Sequence, residues 1–281
     1  MNTLLEPFEF EFFVNGMLVS VLAGALCGLI GVYVVLRGMS YIGHGMSHAI
    51  FGGAIVSFVT KINFYVGAGL WGFVSALMIN RVARRRIIGA DAAIGVITIG
   101  SFAVGVALIS QQRKFNRNFE AALFGNVLGV TSTDVLVVGG VTLTAAAIIF
   151  AMYRKLLFTT FDPEVAEASG VNTGRIDALF ALVLAAAIVA TMNILGVTLI
   201  AAALVVPPVI ARMLTDSFSR MLWISVLVGA VSGFVGMYLS WFLDIASGAS
   251  IVLVSTSLFA ITYLVYGARG ARRLRGAEAH I

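Results

Sequence analysis

Charged side chains are scarce in this sequence. Asp, Glu, Lys and Arg make up 11% of the 281 residues, whereas 60% are hydrophobic and the mean hydropathy is +1.03. A soluble domain carries about 25% charged residues, so this composition excludes a soluble globular protein and indicates one that lies in a lipid bilayer. The apolar runs reach about twenty residues, the length of a membrane-spanning helix. The weakly alternating segments that are typical of an outer-membrane barrel are lacking.

Cysteine and nucleotide-binding motifs are equally scarce. Cys27 is the single cysteine, which excludes an intrachain disulfide and a cluster of thiolate metal ligands. No GxxxxGK[ST] phosphate-binding loop occurs, so we expect a chain that does not hydrolyse ATP itself and is not an enzyme. The N-terminal segment MNTLLEPFEFEFF lacks the positive region and cleavage site of a signal peptide, so we expect no processing there.

The apolar runs predict an all-α, polytopic integral membrane protein with one transmembrane domain over residues 1–281. Charged residues divide the runs into about nine spans: 12–36, 41–60, 62–80, 87–110, 133–152, 174–193, 196–212, 220–242 and 250–268. The segment 111–132 is too short in its apolar part to span, so we interpret it as an external excursion. If this segment or the first span is misassigned, the number becomes eight or ten.

The basic residues predict the orientation. With the N-terminus outside, fourteen of the eighteen Lys and Arg residues lie on the cytoplasmic side, as the positive-inside rule requires. Lys61, Arg113, Lys114 and Arg117 remain outside. The sequence thus predicts a multi-pass plasma-membrane protein with a cytoplasmic C-terminus. This distribution explains the net charge of +5 without a nucleic-acid partner, with anionic lipid as a second contact.

The longest cytoplasmic loop, YRKLLFTTFDPEVAEASGVNTGR, carries the signals of a short helix. Asp162 is a good N-cap, and Pro163 suits the first helical position. Glu164 and Glu167 complement the positive end of the helix dipole, and Gly170 is placed to end the helix. The loop therefore predicts a helix of about two turns on the cytoplasmic face.

Histidine is rare, and two of the three histidines lie one helical turn apart within RGMSYIGHGMSHAIFGGA. His44 and His48 share one helix face with Cβ atoms about 6 Å apart, close enough to bind one ion. Their distance from Arg37 places them about 10–16 Å below the cytoplasmic surface. The third, His280, is next to the C-terminus. Ionisable residues inside spans usually face a cavity and mark a pathway, and paired neutral imidazoles suit a transition metal.

A proton relay is the rival use of this pair. It lacks a deep acid to continue the proton path, because the four candidate carboxylates fall near predicted span ends: Asp91, Asp134, Asp177 and Asp244.

Five segments together resemble the permease subunits of ATP-binding-cassette importers for zinc and manganese. They occur in the order of that family: YVVLRGMSYIGHGMSHAIFGGA, DAAIGVITIGSFAVGVALIS, FDPEVAEASGV, LGVTLIAAALVVPPVIARML and GMYLSWFLDIASGASIVLV. The resemblance implies a homodimer of permeases, cytoplasmic ATP-binding subunits that use the ATP, and an extracytoplasmic metal-binding protein. It implies a transported Zn²⁺ or Mn²⁺ and no permanently bound cofactor.

The resemblance also implies roles for individual residues. The segment at about 159–173 resembles the coupling helix that docks on the ATPase, with Asp162, Pro163, Glu164, Val165, Glu167 and Gly170 as its residues. His48 matches the histidine of the metal pathway, and His44 stands where the family usually has an aspartate. Because nitrogen replaces an oxygen ligand, we expect zinc to be favoured over manganese.

The resulting hypothesis is a permease that moves a divalent transition metal into the cytoplasm. One alternative is a permease for a metal chelate or siderophore, in which the two histidines merely pack. The others are a stand-alone secondary metal or proton carrier, and a membrane scaffold with no translocation pathway.

Overall fold

The computed structural model describes residues 4–84, 88–111, 125 and 129–278, with side chains up to residue 266. Every regular element in these ranges is a helix, which confirms the all-α prediction. A 3-10 helix at Glu6–Glu9 precedes eleven α-helices: α1 (Glu11–Leu36), α2 (Ser40–Thr60), α3 (Phe64–Arg84), α4 (Ala90–Ser110), α5 (Ser132–Ala151), α6 (Tyr153–Phe161), α7 (Pro163–Ala168), α8 (Thr173–Leu195), α9 (Ile200–Leu214), α10 (Phe218–Leu243) and α11 (Ser247–Glu278).

Several sequence predictions fall outside the described residues. Most of the segment 111–132 is among them, so the external excursion stays a prediction. His280 and some of the basic residues that fix the orientation are among them as well: Arg85, Arg86, Arg113, Lys114 and Arg117, and the side chains of Arg269, Arg272, Arg273 and Arg275.

Eight of the described helices are long and apolar enough to cross a membrane: α1 to α5, α8, α10 and α11. They correspond to eight of the nine predicted spans. The predicted span 196–212 corresponds to α9, which has 15 residues and a length of about 22 Å, less than the hydrocarbon thickness of about 30 Å. Helix α9 therefore runs through part of the bilayer depth, and the segment before it contains Gly196 with a φ of +77°.

The helix ends collect at two ends of the bundle. We call the end that carries Arg37, Arg84 and α7 the inner end, since Arg37 and Arg84 both contact Asp177 at the start of α8. We call the opposite end, where Tyr65 bonds to Asp134, the outer end. The predicted orientation puts the inner end in the cytoplasm.

The centre of the bundle is α1, whose buried residues run along most of its length. Helices α1 and α10 approach so closely that a Cβ atom at Gly24 would lie 2.1 Å from the carbonyl oxygen of Gly229. A larger residue cannot fit there, so the glycines bring the two backbones into direct contact.

Helix α2, which carries the histidine pair, is enclosed in the same way. A Cβ atom at Gly52 would lie 2.4 Å from the carbonyl oxygen of Ser101 in α4, and one at Gly53 would lie 2.4 Å from Cβ of Trp71 in α3. Both contacts require glycine on α2. The glycines thus let α2 contact the backbone of α4 and the Trp71 side chain of α3 directly, which fixes its position against both helices.

Candidate functional site

The two histidines lie on one face of α2, as predicted. The ring centroids of His44 and His48 are 4.6 Å apart, with the ring planes at 78°. Since α2 begins at Ser40, the residues are about 6 and 12 Å along the helix from its inner end. The pair thus lies in the inner half of α2.

Aromatic side chains form the surroundings of the pair. The ring of Phe102 in α4 contacts His48 edge to face at 5.3 Å between centroids, and Tyr41 lies 5.7 Å from His44. Ser47 donates its hydroxyl to the carbonyl oxygen of His44 at 2.8 Å. Both imidazoles are partly exposed. The pair therefore has an apolar wall on the α4 side and an accessible side on which an ion can approach.

The pair itself offers two nitrogen ligands to an ion. Among the residues that the structure describes, no three His, Cys, Asp or Glu side chains are grouped closely enough to hold one metal ion. Closed structural zinc sites have four protein ligands, whereas a transport site must also release its ion. Two imidazoles with open positions suit an ion in transit.

The four candidate carboxylates lie at helix ends, as predicted. The first turns of α4 and α5 contain Asp91 and Asp134, and Asp177 directly follows the first turn of α8. Asp244 is the C-cap of α10. None of the four continues a proton path from the histidines through the middle of a span. This placement removes support from the proton-relay alternative.

A polar cluster joins three helices at the outer end. The hydroxyl of Tyr65 in α3 donates to Asp134, whose other carboxylate oxygen accepts from the backbone N–H of Thr131 at 2.8 Å. Tyr65 also bonds to Asn193 in α8. Asn193 thus forms the hydrogen bond between helices that its position in an apolar span indicates, and Asp134 is occupied as a cap and acceptor.

The short helix that the sequence predicts in the loop after α5 is present. The carboxylate of Asp162 accepts the backbone N–H of Val165 at 3.0 Å, and Pro163 is the first residue of α7. Gly170, with a φ of +83°, ends the turn. Its N–H donates to the carbonyl oxygen of Glu167 at 3.0 Å, so each capping signal has its expected local geometry.

One face of α7 is available to a partner. Glu164, Val165 and Glu167 are exposed, whereas Ala166 is buried. Val165 is 49% exposed, and Phe161, just before the helix, is 63% exposed. Two exposed apolar side chains thus lie near the carboxylates at the start of α7. The sequence did not predict α6, which precedes α7, because its residues were interpreted as part of the loop.

Sequence reasoning also missed a polar network at the inner end, because its arginines were interpreted as topology signals. Arg37 donates from Nη1 to Asp177 at 2.9 Å, from Nε to Thr160 at 3.1 Å and from Nη2 to Thr159 at 3.1 Å. Its guanidinium carbon lies 4.7 Å from the ring centroid of Phe180. Burial lowers the pKa of Arg37 from its ordinary value, and the charge of Asp177 opposes that change.

The second arginine of this network is Arg84, at the end of α3. It donates to the other carboxylate oxygen of Asp177 at 2.9 Å and to the hydroxyl of Thr173 at 3.1 Å. One carboxylate therefore bridges two cations that belong to different helices. The contacts span 89 to 140 residues of sequence, so spacing along the chain gave no signal for them.

Comparisons with known proteins agree with this arrangement. A family model described as the ABC 3 transport family matches residues 9–266. The manganese transport system membrane protein MntC of Halalkalibacterium halodurans is 36% identical over 273 residues, which cover 96% of this chain and 94% of the relative. The chelated iron transport system membrane protein YfeC of Yersinia pestis is 33% identical over 259 residues, which cover 92% of this chain and 88% of the relative. A chain in the structure of PsaBC from Streptococcus pneumoniae in complex with Fab has a TM-score of 0.82 at 31% identity, with 92% of each chain covered.

Proposed function

Because the chain belongs to the ABC 3 transport family, we propose that it is the membrane permease of an importer that moves a divalent transition metal into the cytoplasm. The names of its relatives support a metal as cargo, since they include manganese and chelated-iron transport proteins. Family membership also favours an ATP-driven importer over a stand-alone carrier or a scaffold.

The observation that carries the proposal is the histidine pair. Its two imidazoles are 4.6 Å apart between centroids, partly exposed and set in a helix that is fixed by glycine contacts. Two neutral nitrogen ligands bind a transition metal but leave open coordination positions. Such a site takes an ion from one side and releases it to the other, as transport requires.

We propose zinc as the preferred cargo, with manganese as the competing outcome. The argument is the type of ligand: imidazole nitrogen favours zinc, whereas manganese prefers carboxylate and other oxygen ligands. Within the described residues no carboxylate joins the pair. The manganese named for several relatives makes a direct competition between the two ions necessary.

The assembly that we propose has three kinds of component. Two permease copies form a homodimer in the plasma membrane, and an extracytoplasmic metal-binding protein delivers the ion to the outer end. Two cytoplasmic ATP-binding subunits hydrolyse ATP and contact α7, with Val165 and Glu164 on the exposed face. The inner end with its arginines then faces the cytoplasm, and no cofactor is bound permanently.

Loss of the imidazoles tests the proposal. In vesicles that contain the complete importer, we expect His44→Ala and His48→Ala each to lower uptake of zinc and manganese at least about tenfold, as is usual when a metal site loses an essential group. Phe58→Ala is the matched control, since Phe58 is an exposed residue in the outer half of the same helix.

Normal uptake by the His44→Ala/His48→Ala double variant would remove the pair from the pathway. That result would favour a permease for a metal chelate, an alternative that the chelated-iron name of one relative supports. A chelate carries its own ligands, so its transport would not depend on the two imidazoles. Membrane insertion, measured on the same vesicles, is expected to be unchanged because alanine is well tolerated in a span.

A further inference from the structure

The partly buried Arg37 lies between the cytoplasmic helix α7 and the histidine helix α2. On one side it binds Thr159 and Thr160 in the last turn of α6. Helix α6 shares Asp162 with α7, since this residue is the C-cap of the first and the N-cap of the second. The two short helices therefore form one unit, which we call the α6–α7 hairpin, and Arg37 contacts this unit directly.

On its other side Arg37 is joined to the start of α2 by two residues. Gly38 has a φ of +67°, a conformation that favours glycine, and Met39 precedes the first residue of α2. His44 is then one turn into the helix. A change in the position of Arg37 is therefore carried by a short, defined turn to the helix that holds both imidazoles.

A cavity separates part of the hairpin from α2 among the described residues. Its volume is about 320 Å³, and its lining includes Met39, Ile42 and Met46 from α2 and Pro163 from α7. A void transmits no force by contact, because its lining atoms have no partners on the open side. Arg37, which also lines the cavity, bridges it with hydrogen bonds.

The hydrogen bonds of the two threonines make the bridge directional. Each hydroxyl donates to the carbonyl oxygen of Leu156, Thr160 at 2.6 Å and Thr159 at 3.2 Å. Their oxygens are thereby turned to accept from Arg37. A planar guanidinium with five N–H donors can serve both hydroxyls and Asp177 at once, which a lysine ammonium cannot do in the same geometry.

We propose that Arg37 is a positioning residue of the transport cycle, which passes movement of the α6–α7 hairpin to α2 and so links ATP hydrolysis to the histidine site. This inference rests on the proposed function. Asp177 and Arg84 hold the opposite side of the guanidinium to α8 and α3. They form the fixed support against which the hairpin moves.

The first test measures how many metal ions enter per ATP hydrolysed. We expect Arg37→Met to lower this ratio about tenfold, within the usual range of coupling between two sites, while the assembled importer still hydrolyses ATP. Arg37→Lys should recover part of the ratio, since it keeps the charge and part of the hydrogen bonding. Loss of folding alone would lower uptake and hydrolysis together and leave the ratio unchanged.

Two further variants complete this test. Arg212→Gln is the matched control, because Arg212 is at the same end of the bundle and pairs with Asp216 at 3.2 Å, with 51% and 99% of the side chains exposed; its ratio should stay unchanged. The double variant Thr159→Val/Thr160→Val removes the two acceptors with little change in shape. Like Arg37→Met, it should lower the number of metal ions that enter per ATP hydrolysed. It tests the bridge independently, so it remains informative if Arg37→Met does not fold.

The second test does not depend on the cargo. Ser40 is exposed at the start of α2, and the single native cysteine, Cys27, is buried, so Ser40→Cys provides one thiol for a water-soluble maleimide. We expect ATP to change the labelling rate in the otherwise unaltered importer. The change should disappear when Thr159→Val/Thr160→Val is added.

The outcomes separate this inference from the proposed function. An importer with the natural sequence that takes up neither zinc nor manganese contradicts the proposed function. An unchanged ratio of metal to ATP in both Arg37→Met and the threonine double variant overturns the role of Arg37, as does an ATP-dependent labelling change that survives the loss of both threonine acceptors.

Discussion

At the scale of single residues, we propose that His44 determines which ion the pair prefers. It stands one turn from His48 on the same face, with its ring 4.6 Å away between centroids. A carboxylate at this position would offer a negatively charged oxygen in place of a neutral nitrogen. Oxygen ligands suit manganese, and imidazole suits zinc, so one side chain changes the preference without changing the helix.

The substitution His44→Asp tests this role. We expect the ratio of zinc to manganese uptake to fall on the order of tenfold, which corresponds to ~1.4 kcal/mol, because one nitrogen ligand becomes a carboxylate. Uptake of each ion is measured in competition with the other in vesicles with the full importer. His44→Asn is the control, since it has a similar size but no charge. Equal selectivity in all three proteins would assign the choice of metal to the external binding protein.

Residue-scale predictions succeeded where the signal is local. The spacing of four residues placed His44 and His48 on one face, and the sequence around Asp162 gave the correct N-cap. Arg37 was not recognised, because its partners Thr159 and Asp177 are 122 and 140 residues away. The positive-inside rule already explained an arginine at the inner end of α1. The sequence alone therefore gave no reason to expect a second role for Arg37.

At the scale of the element, α7 shows how capping signals act. The helix has six residues, too few to be stable by itself. It persists because Asp162 caps one end, Gly170 ends the other and Ala166 packs inward. The side chains that remain outside, including Val165, are then presented in a fixed direction. This is the local basis for our assignment of α7 to contact with the ATP-binding subunit.

Val165→Asp tests the contact made by α7. A charge at this 49% exposed apolar position should weaken docking, since an apolar contact is replaced by a group that must be desolvated. We expect less copurifying ATP-binding subunit and at least about tenfold less uptake, with normal membrane insertion. Leu214→Asp is the matched control, because Leu214 is 38% exposed at the inner end of α9. Normal copurification and normal stimulated ATP hydrolysis in Val165→Asp would contradict the assignment.

The elements that sequence reasoning described less well are α6 and α9. Aromatic contacts hold α6 to the bundle, since Tyr153 and Phe161 both pack on Phe218 of α10. Those contacts are not visible in a loop sequence. Helix α9 begins four residues later than the predicted span because Gly196 ends α8 and a turn follows. An apolar run shows where a span lies but not where its helix starts.

At the scale of the whole molecule, hydropathy predicted the spans but not their neighbours. Nearly all faces of these helices are apolar, so the sequence has little pattern to show which face meets which helix. The arrangement depends on where backbones can touch, as Gly24 does with Gly229 and Gly52 with Ser101. Only the fold identifies α3 and α4 as the partners of α2.

The number of ligands links the site to the assembly. In the described part of one chain the site has two imidazoles and no third His, Cys, Asp or Glu within reach, whereas zinc usually has four ligands. Both rings are partly exposed, so a second copy can approach them. In a symmetric dimer, residues that lie at the axis meet their own copies. A shared site would have four nitrogen ligands, and separate sites would have two each.

Mixed dimers distinguish shared from separate sites. Two differently tagged permeases, one natural and one with His44→Ala and His48→Ala, are coexpressed, and the mixed dimer is purified through both tags. If one ion is held by both copies, one altered copy removes half of its ligands, and uptake should fall at least about tenfold. Two independent pathways would instead leave about half of the uptake of the natural dimer. A mixed dimer of a natural copy with a Phe58→Ala copy controls for the tags and for the purification, since Phe58 lies in the outer half of α2. We expect about half of the uptake to remain, because two imidazoles with open coordination positions already suit an ion in transit.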